Sequence, residues 1–165
     1  MSKAVMLSIR PKWCEKIASG EKTIEVRKTK PKLETPFKCY IYCTLPKYPH
    51  KDFIATDYPM PQFYGGGKVI GEFTCDRIDR LDPANEPYGI YDIDDDYVFQ
   101  TCLENGALWD YGHGTPLYGW HISDLRIYDE ARELSEFTGL RNTRFGAAPY
   151  DIKRPPQSWC YVEEG

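Results

Sequence analysis

Gly20-Glu21-Lys22-Thr23-Ile24-Glu25-Val26-Arg27 is the stretch in which the hydrophobic period of the chain changes. Upstream of it, Pro11 is followed by Cys14, Ile17 and Ala18. Apolar positions three and four residues apart mark one face of a helix over 11–19, and proline is tolerated in its first turn. Gly20 is placed to end that helix, since glycine takes the left-handed conformation without a Cβ penalty. From Lys22 to Arg27 the period drops to two: Ile24 and Val26 point one way, Thr23, Glu25 and Arg27 the other. On a regular strand Lys22 faces away from Glu25, unless the turn at Gly20 rotates it.

Outward from this unit, Ala4–Ile9 is a short apolar run suited to a strand preceding the helix. Phe37–Thr44, Lys68–Ile78, Leu117–Tyr128 and Trp159–Val162 read as further strands, rich in aromatic and β-branched residues. Residues 46–67 form a long loop rich in Pro, Tyr and Gly. Its Gly65-Gly66-Gly67-Lys68 ending lacks the spacing of a phosphate loop and reads as a turn. A helix begins near Asp94 and runs through Val98, Cys102 and Leu103; a shorter one covers Ala107–Tyr111. Leu140–Ile152 reads as loop, and Pro155-Pro156 cannot join a central ladder. Five to six strands, few of them alternating with helices, make an α+β chain: a small mixed β-barrel with an N-terminal helix after strand 1 and further short helices. A single domain over 1–165 suits this length.

Charge is unevenly spread. Residues 1–51 carry 12 Lys/Arg against 4 Asp/Glu, whereas residues 52–165 carry 9 against 21. A basic block on an acidic chain fits one face that meets an anion while the rest stays solvated; lysines blunting a strand edge are the plainer alternative for Lys30 and Lys32. The net charge of −4 argues against sequence-blind binding to long duplexes, where phosphate neutralisation dominates affinity. The run Asp92, Asp94, Asp95, Asp96 lacks the glycine turn and closing Glu of a calcium loop, and suits a helix N-terminus. The six cysteines show no C-x-x-C pair, so free thiols are expected and no metal site. No cofactor is expected either. No apolar run approaches the ~20 residues that cross a bilayer, and the N-terminal residues lack a signal peptide's apolar core, so a cytoplasmic, non-membrane protein is expected, with a monomer favoured.

The signature Gly20-x-Lys22-Thr23-Ile24-Glu25-x-Arg27, set after a strand and a helix, resembles the G-x-K-x-x-E-x-R signature of ASCH domains. The stretches Leu117-Tyr118-Gly119-Trp120-His121-Ile122 and Arg154-Pro155-Pro156-Gln157-Ser158-Trp159-Cys160-Tyr161 are similar to ASCH proteins common in phages and prophages. The resemblance implies a PUA-like barrel, related to PUA, YTH and EVE domains, whose members bind RNA or modified bases in a cleft beside the barrel. One ASCH branch hydrolyses acetylated cytidine and other members cleave RNA. In the hydrolytic branch the signature lysine, here Lys22, is implicated in catalysis; that branch carries a hydroxyl residue where this chain has Glu25.

The residues themselves allow two roles. A lysine acts as base or nucleophile when burial or a nearby cation lowers its pKa, and a carboxylate beside it opposes that shift. Lys22, Glu25 and a carboxylate from elsewhere (Glu104 first, Glu72 second) form the candidate catalytic set. Glu25 and Arg27 share a strand face, so Arg27 is suited to a phosphate and Glu25 to a base amino group; a structural Glu–Arg pair is the alternative. Arg10, Thr23 and Lys28 join Arg27 as candidate ligand contacts. Tyr118, Trp120 and Trp159 are candidate stacking surfaces, with Gln157 and Ser158 able to read a base edge; burial in the core is the alternative for each Trp. The expected ligand is single-stranded RNA or a small nucleoside. A hydrolase acting on an N-acylated cytidine nucleoside or an RNA phosphodiester, and a protein-interaction barrel, are the competing readings.

Overall fold

The computed structural model describes residues 2–45 and 66–165. The described chain forms eight strands: β1 (Lys3–Ile9), β2 (Ile24–Arg27), β3 (Phe37–Cys43), β4 (Lys68–Leu81), β5 (Leu117–Arg132), β6 (Thr138–Thr143), β7 (Gly146–Asp151) and β8 (Trp159–Glu163). Three helices join them: α1 (Pro11–Ala18), α2 (Asp95–Thr101) and α3 (Asn105–Gly112). The strands hydrogen-bond in the order β2-β5-β4-β3-β1-β8-β6-β7. The class is mixed α+β as expected, but the closed barrel of five to six strands is not: there are eight strands in an open sheet. Closure requires the two end strands to pair, and β2 and β7 stand at opposite ends of the order.

The extra strands come largely from 138–151, which the sequence presents as loop. Gly139, Asn142, Gly146 and Pro149 are poor strand formers, and no alternation marks the segment. Pairing makes the strands here: β6 and β7 form a six-rung antiparallel hairpin from Thr138↔Asp151 to Thr143↔Gly146. The expected loop 46–67 lies outside the described residues except for its last two, where Gly66 and Gly67 form the anticipated turn, with Gly67 at φ +90°.

The chain divides into two compact units. Unit 1 gathers residues 1–15, 37–74 and 124–165. In it β1 runs parallel to β3 (Val5↔Cys39 to Ile9↔Cys43) and antiparallel to β8 (Lys3↔Glu163 to Leu7↔Trp159). Every β1 residue after Lys3 is buried, as expected of an apolar strand covered on both faces. Its core packs Ala4, Met6, Tyr40, Tyr42, Val69, Phe137, Ile152 and Val162.

Unit 2 gathers residues 16–36 and 75–123. Ile24 and Val26 of β2 pack with Leu81, Tyr91, Leu108 and Leu117. The aspartate run does start a helix: the Asp94 side chain caps α2 by accepting from the Tyr97 N–H at 2.8 Å, and Asp95 and Asp96 fill the first turn. No helix among the described residues is long and apolar enough to cross a membrane. All six cysteines are free thiols.

Candidate functional site

The sequence reading put Lys22 at the head of the strand, facing away from Glu25. The strand begins two residues later, at Ile24. Lys22 instead sits in the bend that follows Gly20, whose φ of +85° only glycine adopts readily. Two backbone bonds hold the bend: Lys22 N–H donates to Lys16 C=O at 3.0 Å, and Thr23 N–H to Gln100 C=O at 3.0 Å. Strand alternation therefore does not govern Lys22. Its side chain is 2% exposed and donates to the Thr101 carbonyl, at the C-terminal end of α2, at 2.5 Å.

Glu25 and Arg27 emerge on the face of β2 opposite Ile24 and Val26. The antiparallel register sets Glu25 across from Trp120 and Arg27 across from Tyr118, so these four share one face of the β2–β5 ladder. Glu25 Oε1 accepts from the Val26 N–H at 3.1 Å and lies 3.8 Å from Arg27 Nε. Glu25 Oε2 is buried and has no hydrogen-bond partner among the described residues, although the side chain is only 10% exposed. A buried carboxylate oxygen left in this state costs on the order of 1–3 kcal/mol.

Burial decides the ionisation of Lys22. Desolvation pushes its ammonium below the ordinary lysine value, Glu25 and Cys102 pull it back, and Arg27 adds to the depression. The carboxylate opposes the shift, as expected from its proximity, but does not cancel it.

At the margin of this face, Lys28 Nζ lies 4.8 Å from the centre of the Tyr111 ring, and Lys30 Nζ lies 5.7 Å from that of Tyr118. Burial raises the Tyr111 phenol, while Arg27 counteracts and Glu25 reinforces the shift. Tyr111 is a candidate that sequence reasoning missed: helical spacing places it on α3, and nothing local in the sequence shows that α3 brings it near residues 83 and more positions away. Thr23 is tied to α2, its hydroxyl donating to Gln100 Oε1 at 3.2 Å.

Unit 2 thus holds Lys22, Thr23, Glu25, Arg27, Lys28, Tyr118 and Trp120, with Tyr111 added. Trp120 is fully buried, which leaves no ring face open for a base to stack on; it forms the wall behind Glu25. Glu104 is exposed at the N-terminus of α3, and the carboxylate acting on Lys22 is Glu25. Glu72 belongs to unit 1, where it binds Lys38 at 2.9 Å and Tyr128 at 2.8 Å.

The other candidates also lie in unit 1, at one end of the β1–β8 ladder. Arg10 is exposed just past β1, its carbonyl accepting the Trp13 and Cys14 N–H groups. Ser158 C=O accepts from Ser8 N–H at 3.0 Å, and Ser8 Oγ donates to Pro156 C=O at 2.6 Å. Gln157 is exposed, and the half-buried Trp159 meets Tyr161 edge to face at 5.2 Å.

No protein-family model matches the chain, and no curated protein does either. Solved structures do. The crystal structure of ASCH from Zymomonas mobilis superposes with a TM-score of 0.57 at 19% identity, covering 98% of this chain and 88% of that one. Two point mutants of the same protein superpose with TM-scores of 0.55 and 0.54, at 18% and 17% identity, over 99% and 98% of this chain and 92% and 89% of theirs. The chain has the ASCH fold. At this identity the likeness is one of architecture, and the phage or prophage type drawn from the closing stretches gains no support from it.

Proposed function

We propose that the chain binds single-stranded RNA or a modified nucleoside at the Lys22–Glu25–Arg27 face of unit 2. The observation that carries the reading is the Glu25 carboxylate, buried beside two cations with one oxygen lacking a hydrogen-bond partner among the described residues. The amino group of a base supplies the donor that oxygen lacks. Arg27 is suited to a phosphate or base carbonyl through its fork of donors, and Tyr111 and Tyr118 offer aromatic surface at the margin. The phage setting belongs to this reading only through the resemblance of the closing stretches.

Calorimetric titration with a nucleoside library tests it. Glu25→Gln and Arg27→Ala are each expected to weaken a retained nucleoside about 10- to 100-fold, the range for a hydrogen bond to a charged group. Equal affinity in wild type and both variants refutes the reading.

A hydrolytic reading is favoured by one observation, the depressed ammonium of Lys22 next to a carboxylate. In its neutral form the amine takes a proton from an attacking water, and Glu25 holds the resulting ammonium. Release of acetate from N-acetylcytidine, lost in Lys22→Ala, supports hydrolysis; turnover that survives this substitution removes Lys22 from the chemistry.

A further inference from the structure

The second half of the chain is acidic, yet the β6–β7 hairpin and the segment after it are not. Between 138 and 158 lie Arg141, Arg144, Lys153 and Arg154 against one acid, Asp151. Asp151 sits at the far end of the hairpin from its tip. Arg144 and Phe145 form the two-residue loop between the paired Thr143 and Gly146, and Gly146 takes φ +104°. The Thr143 hydroxyl clamps the turn, donating to Gly146 C=O at 2.7 Å and accepting from Phe145 N–H at 3.2 Å. The tip is therefore built, and it presents a phenylalanine that is 93% exposed.

The arginines of this hairpin differ from several other cations among the described residues. Lys68, Arg77, Arg80 and Arg132 each meet a carboxylate within 4 Å. Neither Arg141 nor Arg144 does among the described residues. Their guanidinium groups lie instead against rings, Arg141 at 4.4 Å from the centre of Tyr150 and Arg144 at 5.9 Å from that of Phe145. Packing explains Tyr150, which covers Gly139 so closely that a Cβ there would collide with its ring. Packing does not explain Phe145.

We infer that the β6–β7 hairpin is a contact surface for single-stranded RNA, with Phe145 stacking on an unpaired base and Arg141 and Arg144 meeting backbone phosphates. An exposed ring beside uncompensated guanidinium groups is the pairing that single strands reward, because a duplex hides its base faces. The acidic balance of the rest of the chain disfavours a duplex. Strand addition by a protein partner is poorly served, since β7 carries Pro149, which has no N–H to donate. This surface lies wholly in unit 1 and uses no residue of the β2–β5 face.

Fluorescence anisotropy of the whole chain with a labelled single-stranded RNA of about 12 nucleotides tests the inference, at salt from about 50 to 200 mM. Phe145→Ala is expected to weaken binding about 5- to 100-fold, and Phe145→Trp to retain it. Arg141→Gln with Arg144→Gln is expected to flatten the slope of log affinity against log salt by about 1.4. Free nucleoside should bind all these variants as it binds wild type. Wild-type RNA affinity and salt slope in the hairpin variants overturn the inference, as does equal weakening of duplex DNA, or absence of RNA binding by wild type. Nucleoside binding that fails in Arg27→Ala while hairpin variants leave RNA untouched sinks this inference alone. RNA binding that depends on the hairpin, with no nucleoside retained, sinks only the reading of the β2–β5 face.

Discussion

Lys22→Met keeps most of the bulk of the buried lysine and removes its charge. The substitution deletes the bond to the Thr101 carbonyl and leaves Glu25 with Arg27 at 3.8 Å. Loss of a hydrogen bond from a charged donor costs about 1.5–3 kcal/mol, and the loss of the Lys22 charge that Glu25 attracts adds to it. Two features reduce the sum. Arg27 still faces Glu25, and methionine lifts the desolvation cost that depresses the Lys22 ammonium. We expect a net loss of about 2–3 kcal/mol. Glu25→Gln removes the attraction from the other side and should cost about 1 kcal/mol. In the double variant neither charge remains to be stranded, so its loss should fall short of the sum by about 1–2 kcal/mol. Urea unfolding of the four proteins, with unchanged slopes, measures this coupling. A coupling below about 0.3 kcal/mol would mean that Lys22 and Glu25 act independently and that their burial together is not an electrostatic unit. A Lys22→Met variant more stable than wild type refutes the reasoning as well.

Alkaline pH gives a second reading of the same lysine. Its folded value lies below 10.5 while the unfolded chain keeps the ordinary one, so between the two the unfolded state binds more protons and stability rises with pH. Wild type should gain on Lys22→Met in paired denaturation curves as pH climbs from neutrality toward 10; a constant gap contradicts the depressed ammonium. At acid pH the slope has the same sign for Glu72, where burial works to raise the carboxyl but bonds from Lys38 and Tyr128 hold it below its usual value of 4.5. That stabilisation is complete above 4.5 and lost as pH falls through the folded value, so Glu72→Gln should cost about 1–2 kcal/mol at neutrality and show a shallower acid decline. Gly119→Ala would drive a Cβ into the Tyr97 hydroxyl, which otherwise donates to Asp79 Oδ2 at 3.0 Å. We expect a loss of about 1–3 kcal/mol by thermal melting, partly recovered when Tyr97→Phe removes the obstructing oxygen.

The strands that could be read from sequence are those whose own composition favours extension. β1, β3, β4, β5 and β8 all appear within a few residues of their expected bounds, because apolar or β-branched runs announce them. The hairpin of β6 and β7 could not be read this way, because its strands owe their form to each other and not to propensity. The site shows the same division. That Glu25 and Arg27 share a face follows from the period of two. That Lys22 joins them does not, since it depends on the strand starting at Ile24 and on a carbonyl supplied by Thr101, 79 residues away. Trp120 looked the same in sequence as an exposed stacking residue, and only its place opposite Glu25 settles it as wall.

The pairing of β1 bears on how the protein is made. Its parallel partner β3 leaves the ribosome soon after it, but its antiparallel partner β8 follows only about 150 residues later. At roughly 5–20 residues per second, the side of β1 meant for β8 waits about 8–30 s with its amides and carbonyls unmatched and its apolar residues uncovered. A strand that finishes in the interior of the sheet thus spends most of the synthesis of the chain as an edge.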